Sequence, residues 1–485
     1  MLSLLLSGCF LKRTYLLTIL IIIIVASASL SVFFFERSLS TTSSGDSCSV
    51  PTPTPYITEY CVINGLSSPN AIAVDSSGNV WFVVQNESEL GVFYSTNSTI
   101  QTFPIPNSSS GTGSWGIQVD NTRKLVWFTD YQINSIVSFN ISTRQFTEYR
   151  ITSSSFAFPF QLVLDSKGNV WFTEEYANKI GELTTSGKEI DYPLPSQLTN
   201  ITESGPSGLA MSSNGTLWFT DPNANSIGSF NNGVFHVFNM THLVTSPVGI
   251  SVDSKGNIWL TQHGPSLISE YNPTTGFFRS ITTHIPSRLH YSLPYFIYVD
   301  SNGNIWTDEH NGNAIGRFDP QDNTLVEYRI PTKVAFDGGI AGAITMTIAQ
   351  NGTPWFTEWF GGKIGKVNLN TPLDLSLSFQ NTSINPLQAF DISNGGNLTI
   401  SFAAISPLNE SANLYMYLST YNYKTVPFSY SFSKSNIASY GNGSQTYTST
   451  ISIKDQGVQA GIYYLTISLE TNNLVVSTVI EVQAS

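Results

Sequence analysis

The chain has 485 residues, too many for one ordinary domain, and 13% of them are aromatic against only 11% charged. So few charges cannot clothe long solvated helices, and the composition points to an all-β protein. The net charge is −12, and the 21 Lys and Arg residues form no basic cluster beyond Lys12 and Arg13, which excludes a reader of phosphate backbones; no nucleic acid is expected as partner.

The first element is the run from Tyr15 to Phe35, YLLTILIIIIVASASLSVFFF, which carries no charge. At about 1.5 Å per residue such a run spans a hydrocarbon core of roughly 30 Å. Lys12 and Arg13 precede it, so the positive-inside rule leaves the tip in the cytoplasm and places everything after Glu36 outside. Residues 1–36 are therefore predicted to be a cytoplasmic tip and transmembrane helix, making a single-pass protein of the cell membrane. A cleaved signal peptide is the competing reading, because Ala26-Ser27-Ala28 resembles a cleavage site, although the apolar run continues through Phe33-Phe34-Phe35. Leu6-Ser7-Gly8-Cys9 has the form of a lipoprotein box but lies on the wrong side of the charged pair. Sequons at Asn86, Asn97, Asn107, Asn140, Asn200, Asn239, Asn397 and Asn442 suit an extracellular glycoprotein, though a chain rich in Asn, Ser and Thr also makes them by chance. Residues 37–55 are a Ser/Thr/Pro stalk. Cys48 and Cys61 are the two cysteines beyond the span and can form one disulfide in an oxidising compartment.

Next comes a repeat. Trp recurs at 81, 127, 171, 218, 259, 306 and 355, spaced by 46, 44, 47, 41, 47 and 49 residues. Its context is P-x-x-I-x-V-D-S-x-G-N-(V/I)-W-F-T-(E/D)-x-x-x-N-x-I-G-x-F, clearest from Pro159 to Leu183 and from Pro247 to Ile268. Each copy holds four short strands, A to D, with an Asp-Ser-x-Gly-Asn turn between A and B and the Trp on B. Four antiparallel strands per repeat of this length describe a propeller blade, so seven copies predict a seven-bladed β-propeller over residues 56–370. The seventh copy lacks its outer strand, whereas a matching segment, Ile57 to Ile63, stands before the first. Adding that segment to the last blade would close the ring. Beyond Pro372 the period stops, and alternating segments such as Leu398 to Ala403 and Tyr463 to Leu469 predict an immunoglobulin-like β-sandwich over 371–485.

Two positions of the repeat are expected to rim one mouth of the channel. The middle of the P-x-x triplet is Asn70, Trp115, Phe160, Ser207, Val248, Tyr295 and Ile344. The position after W-F-T is Val84, Asp130, Glu174, Asp221, Gln262, Glu309 and Glu358, followed by Gln85, Tyr131, Glu175, Pro222, His263, His310 and Trp359. The seven Trp and the repeated carboxylates have a plain structural explanation in packing and turn formation. Residues that break the symmetry are the better candidates for a ligand on the axis. Trp115, Phe160, Tyr295 and Trp359 would bind a sugar or another ring; His263, Glu309, His310 and Glu358 would supply acid and base, and Glu174 and Glu309 would ligate a divalent cation, Mg or Ca.

The copies Trp171-Phe172-Thr173-Glu174 with Asn178-Lys179-Ile180-Gly181, and Trp355-Phe356-Thr357-Glu358 with Lys363-Ile364-Gly365, resemble the streptogramin B (virginiamycin B) lyase family, and more loosely NHL-repeat and gluconolactonase-like propellers. The resemblance covers the propeller and neither flank. It implies Mg-dependent elimination across an ester of a cyclic depsipeptide, with histidines and glutamates at the mouth of the last two blades. At the family's histidine positions this chain has Tyr295 and Ile344, and Gly342 stands where the family has the Glu that opens blade seven. The expectation is thus a membrane-anchored, extracytoplasmic propeller that binds a small molecule, carbohydrate, peptide or envelope partner; the alternative is a divalent-metal-dependent lyase or lactonase-like hydrolase acting on a cyclic ester.

Overall fold

The computed structural model describes residues 54–485 except 63–66, 109–110, 196–204, 241–242, 284–291, 334–339, 380–389, 392–395, 405–410, 421–429, 439–443, 454–460 and 485. The predicted transmembrane segment, the stalk up to residue 53, Cys9, Cys48 and the sequons at Asn200 and Asn442 lie outside the described residues. Among the described residues no helix is long and apolar enough to cross a membrane.

What is described is strand, in a propeller-like arrangement. Six repeats each form a four-stranded antiparallel meander, A to D: Pro69–Val74 to Thr99–Pro104, Ile117–Asp120 to Gln145–Arg150, Pro159–Leu164 to Glu189–Pro193, Leu209–Met211 to Val234–Asn239, Pro247–Val252 to Phe278–Thr282, and Pro294–Val299 to Thr324–Arg329. The seventh has Ala343–Ile348, Pro354–Glu358 and Lys363–Val367, and its outer strand is Ile57–Cys61. These seven sheets are called blades 1 to 7 below. Ile57 lies opposite Val367 and Cys61 opposite Lys363, so the segment before the first blade completes the last. Each A strand touches the A strand of the next blade, and that of blade 7 touches that of blade 1. Cys61, at the end of the closing strand, is disulfide-bonded.

The repeated letters have local causes. In blades 1, 3, 5 and 6 the turn Asp accepts several hydrogen bonds at once. Asp253 takes the Lys255 N–H at 2.8 Å, the Asn257 N–H at 2.9 Å, the Asn257 Nδ2 at 2.8 Å and the Trp259 Nε1 at 3.3 Å. The Trp is thereby pinned to the turn that precedes it, as Trp81 is to Asp75, Trp171 to Asp165 and Trp306 to Asp300. The strand C glycine makes room for the Phe beside the Trp: a Cβ on Gly181 would stand 2.3 Å from the Phe172 ring and one on Gly365 2.3 Å from Phe356. The Thr of W-F-T ties blade to blade. Thr129, Thr173, Thr220 and Thr261 donate to the carbonyls of Phe160, Ser207, Val248 and Tyr295 in the following blade, at 3.1, 2.9, 2.7 and 2.7 Å.

The region after residue 372 is β-structure, as expected, but it does not stand apart. Leu375–Phe379, Gly396–Ala404, Gln445–Ile453 and Tyr430–Phe432 form one sheet. The other strands extend blade 6: Leu474–Ala484 pairs antiparallel with Thr324–Arg329, Val326 opposite Val476, and continues into Gly461–Glu470 and Ala412–Thr420. Arg329 and Glu470 add an ion pair at 2.8 Å, and Thr282 of blade 5 bonds Thr466 at 2.8 Å. The cause is visible in the outer strands. Those of blades 2 and 3 are half-exposed or exposed, whereas that of blade 6 carries Leu325-Val326 where blade 2 has Phe146-Thr147, and the C-terminal strand covers it.

Replacing Asp253 by Ala leaves the Asn257 amides and the Trp259 Nε1 without their acceptor. This variant is expected to lose about 1–3 kcal/mol in urea unfolding, while Ser254→Ala, exposed on the same turn, is expected to stay within about 0.5 kcal/mol of the parent.

Candidate functional site

Strand B ends and strand A begins at one face of the ring, and there the two expected rim positions separate. Side chains alternate along a strand. Glu174, Glu309 and Glu358 end their B strands and turn into their own blades, where all three are at most 1% exposed. The residues after them, Glu175, His310 and Trp359, keep partial exposure, as His263 does in blade 5.

Each buried glutamate has a partner from outer strand D. Burial, and then the charge of Glu327 beside it, hold the Glu309 carboxyl well above the ordinary carboxylate range. Blade 6 has Thr307 where blade 5 has Leu260 and the other five have Phe, and the vacated room above Gly316 is taken by the Glu309 carboxyl: a Cβ there would stand 2.7 Å from Oε1. Its neighbour Asp308 occupies the position of the interblade Thr. Oδ1 accepts the Phe296 N–H at 2.8 Å, Oδ2 is buried without a partner, and burial pushes the pKa up to about 8. Glu358 lies against Glu59 of the closing strand; Lys363 Nζ sits 3.3 Å from Glu59 and 2.6 Å from Thr332 Oγ1. Glu174 groups with Glu189 and Asp191, their ligand atoms all within 4.8 Å, and burial pushes it up to about 8. This is the one cluster of three metal-type side chains among the described residues. It borders a groove of about 550 Å³ lined by residues of blades 2 and 3, and Lys179 already stands 3.4 Å from Asp191. Glu174 and Glu309, paired in the sequence reading as cation ligands, sit in different blades.

The aromatic candidates do converge. Trp115 of blade 2 stacks on Phe160 of blade 3 at 5.4 Å between ring centroids, and both reach Tyr295 of blade 6, at 5.5 and 6.4 Å. Blades 2 and 6 are not neighbours, so these rings meet across the channel. The row extends outward through Phe158, which stacks on Tyr131 at 4.4 Å and lies 4.7 Å from Tyr176, and it ends on Phe156 and Tyr176, 49% and 44% exposed. Trp359 stands apart from the row and stacks on Phe360 at 5.2 Å.

His263 and His310 join the row at Tyr295. The two imidazoles are 5.1 Å apart, and His263 meets Tyr295 edge to face at 5.2 Å. His263 Nδ1 donates to the Pro294 carbonyl at 3.3 Å, which leaves Nε2 as an acceptor. Burial lowers His263 to about 4 and His310, which also feels His263, to about 3, so both are neutral at pH 7. Glu175 lies near enough to Tyr295 for its charge to be felt there, and burial and then Asp221 raise its pKa to about 8. It was in the rim set but not among the chosen candidates; its signal is position, one residue beyond the repeated acid. The mouth therefore presents neutral imidazoles, a neutral carboxyl and aromatic faces. One carboxyl and two imidazoles fit Mg or Ca poorly, since these ions take six or more oxygens or keep an octahedral oxygen shell.

A closed ring of four-stranded blades with its candidate site on the axis defines a β-propeller. The family model of virginiamycin B lyases matches residues 55–343, more than half of the chain, and the chain belongs to the virginiamycin B lyase family. No individual curated protein sequence matches it. Among solved structures, a streptogramin B lyase is 27% identical with a TM-score of 0.56, covering 65% of this chain and 98% of that one. Virginiamycin B lyase from Staphylococcus aureus is 25% identical at the same TM-score, covering 64% and 99%, and a catalytically inactive form of it has been solved with quinupristin. The extracellular domain of a hybrid two-component system from B. thetaiotaomicron is 14% identical with a TM-score of 0.52; that match covers 90% of this chain and 58% of the other, and shows a shared fold.

A carboxyl whose pKa is raised on folding binds its proton more tightly in the native state, so its contribution is present below the unfolded value near 4.5 and is lost as pH rises through the folded value. Stability is therefore expected to fall from about pH 5 upward, through about 8 for Asp308 and Glu174. Glu309→Gln removes one ionising partner of the Glu309–Glu327 pair. It is expected to raise the melting temperature at pH 9 by about 2–4 °C relative to the parent and to change little at pH 5, as read by calorimetry.

Proposed function

We propose that the chain is a ligand-binding propeller, anchored by the Tyr15–Phe35 segment with its ring outside the cell, whose channel mouth takes an uncharged, ring-bearing molecule. The observation that carries this reading is the meeting of Trp115, Phe160 and Tyr295 across the channel, continued to the exposed Phe156 and Tyr176. Aromatic faces take sugar or aromatic rings by stacking, each contact worth about 0.5–1.5 kcal/mol beyond the area buried. Histidines and a carboxyl that are neutral at pH 7 impose no charge on the ligand. That a relative in the same family was solved with quinupristin supports a small-molecule ligand.

A second reading has a specific observation behind it. His263 Nε2 is a free acceptor beside His310, and Glu175 is a protonated acid across the mouth. Such a pair can remove a proton next to an ester and return one to the leaving oxygen. The glutamates expected to do this work, Glu309 and Glu358, are turned away inside their blades, and no step is assigned to a metal.

Titration with quinupristin, monitored by tryptophan fluorescence, is expected to show saturable binding that Trp115→Ala weakens at least tenfold while the circular dichroism stays that of the parent. Chromatography of the recovered ligand tests the second reading. Elimination opens the ring without a change of mass and hydrolysis adds one water. Unchanged ligand supports the binding module, whereas an opened product lost in His263→Ala supports the enzyme.

A further inference from the structure

A second site lies at the opposite ends of the strands, between blades 3 and 4. Trp171 is the one blade tryptophan that is not buried; the other six are at most 8% exposed. It stacks on Tyr192 at 5.5 Å and 23° and meets Phe230 at 5.8 Å and 52°. These three rings and the Glu182 carboxylate line a cavity of about 780 Å³ that opens to solvent at the exposed Asn214 and Asn232.

Blades 2 and 4 set Ser138 and Ser229 opposite the Trp, whereas in blades 5, 6 and 7 the same surroundings hold a cation. In blade 7 Trp355 stacks on Tyr60 at 5.8 Å and 25°, and Lys366 Nζ lies over both rings, at 5.5 and 5.8 Å. At the seam of blades 5 and 6, Trp259 meets Phe318 at 6.0 Å and 53°, and Arg279 lies 5.7 and 5.6 Å over the two rings while pairing with Glu270 at 2.7 Å. In blade 6 Arg317 stands 6.0 Å over Trp306. Strand register makes Glu182 the counterpart of Lys366, Arg317 and Glu270, and Ile190 the counterpart of Arg279. Blade 3 thus keeps the rings and the acid but lacks the cation. Glu182, 8% exposed, accepts the Tyr192 hydroxyl at 2.9 Å and has no described cation paired with it. Asp165 also borders the cavity, bonded to the Trp171 Nε1, as does Lys167 on the exposed turn.

We infer that this cavity binds an organic cation, a guanidinium or alkylammonium group, held by the faces of Trp171, Tyr192 and Phe230 and by the Glu182 carboxylate. Aromatic faces attract such cations electrostatically, and burial of the acid strengthens the pairing. The ring-bearing ligand of the channel mouth is a separate matter, since the two sites lie at opposite ends of the blades.

The probes are arginine amide, lysine amide and the neutral citrulline amide, each titrated calorimetrically into the full chain. Arginine or lysine amide is expected to bind at least tenfold more tightly than citrulline amide, and the stronger of the two identifies the group. Glu182→Gln is expected to weaken that binding at least fivefold. Glu182→Lys, which restores the blade 7 arrangement and fills the site from within, is expected to abolish it. No binding of either cation, equal binding of citrulline amide, or unchanged affinity in a folded Glu182→Lys variant would overturn the inference.

Discussion

The pairing of Ile57–Cys61 with Lys363–Val367 is the constraint on which the rest depends. Without it, blade 7 would present an unpaired edge, and its contact with blade 1 would rest on side-chain packing such as that of Trp355 on Phe93. The closing strand also carries Glu59, which accepts the Thr332 N–H and hydroxyl at 3.1 and 2.8 Å and pairs with the buried Lys363. A buried ion pair adds little net energy but is costly to break, since either partner alone would be an uncompensated charge. It therefore acts as a register lock. Only a closed ring brings Trp115, Phe160 and Tyr295 together from blades 2, 3 and 6.

The ring is built from one solution used repeatedly, and its chemistry lies where that solution is varied. The turn Asp, the pinned Trp, the Phe against Gly and the Thr to the next carbonyl recur from blade to blade. Blade 6 departs furthest: Thr307 stands where five blades have Phe, Asp308 where five have Thr, Glu309 sinks into the room this leaves, and the outer strand takes the C-terminal strands as neighbours. His310 and Tyr295 belong to the same blade. Blade 3 departs in its own way, with Glu182 set beside ring faces that elsewhere receive a cation.

Much of this was legible in the letters. The spacing of the Trp residues marked the blades, and the likeness of Ile57–Ile63 to Leu325–Ile330 marked the closing strand. The rim positions were legible as a set, and Trp115, Phe160, Tyr295, His263 and His310 do meet. What the repeat could not show was which of two adjacent residues faces the axis. A strand alternates sides with a period of two, so Glu309 and His310 have opposite fates although they are neighbours. A glutamate pattern also looks the same whether it faces water or another carboxyl, as Glu309 and Glu327 do. The merging of the C-terminal strands with blade 6 had a faint signal in Leu325-Val326, where blade 2 has Phe146-Thr147. Long-range pairing of that kind depends on two distant segments and leaves no local period.

Native-state hydrogen exchange resolved along the chain tests the closure most directly. If Ile57–Cys61 closes the ring, its ladder amides exchange as slowly as those of Lys363–Val367, and denaturant speeds both together as one opening event. Rapid exchange of residues 57–61 while 363–367 stay protected would contradict the account.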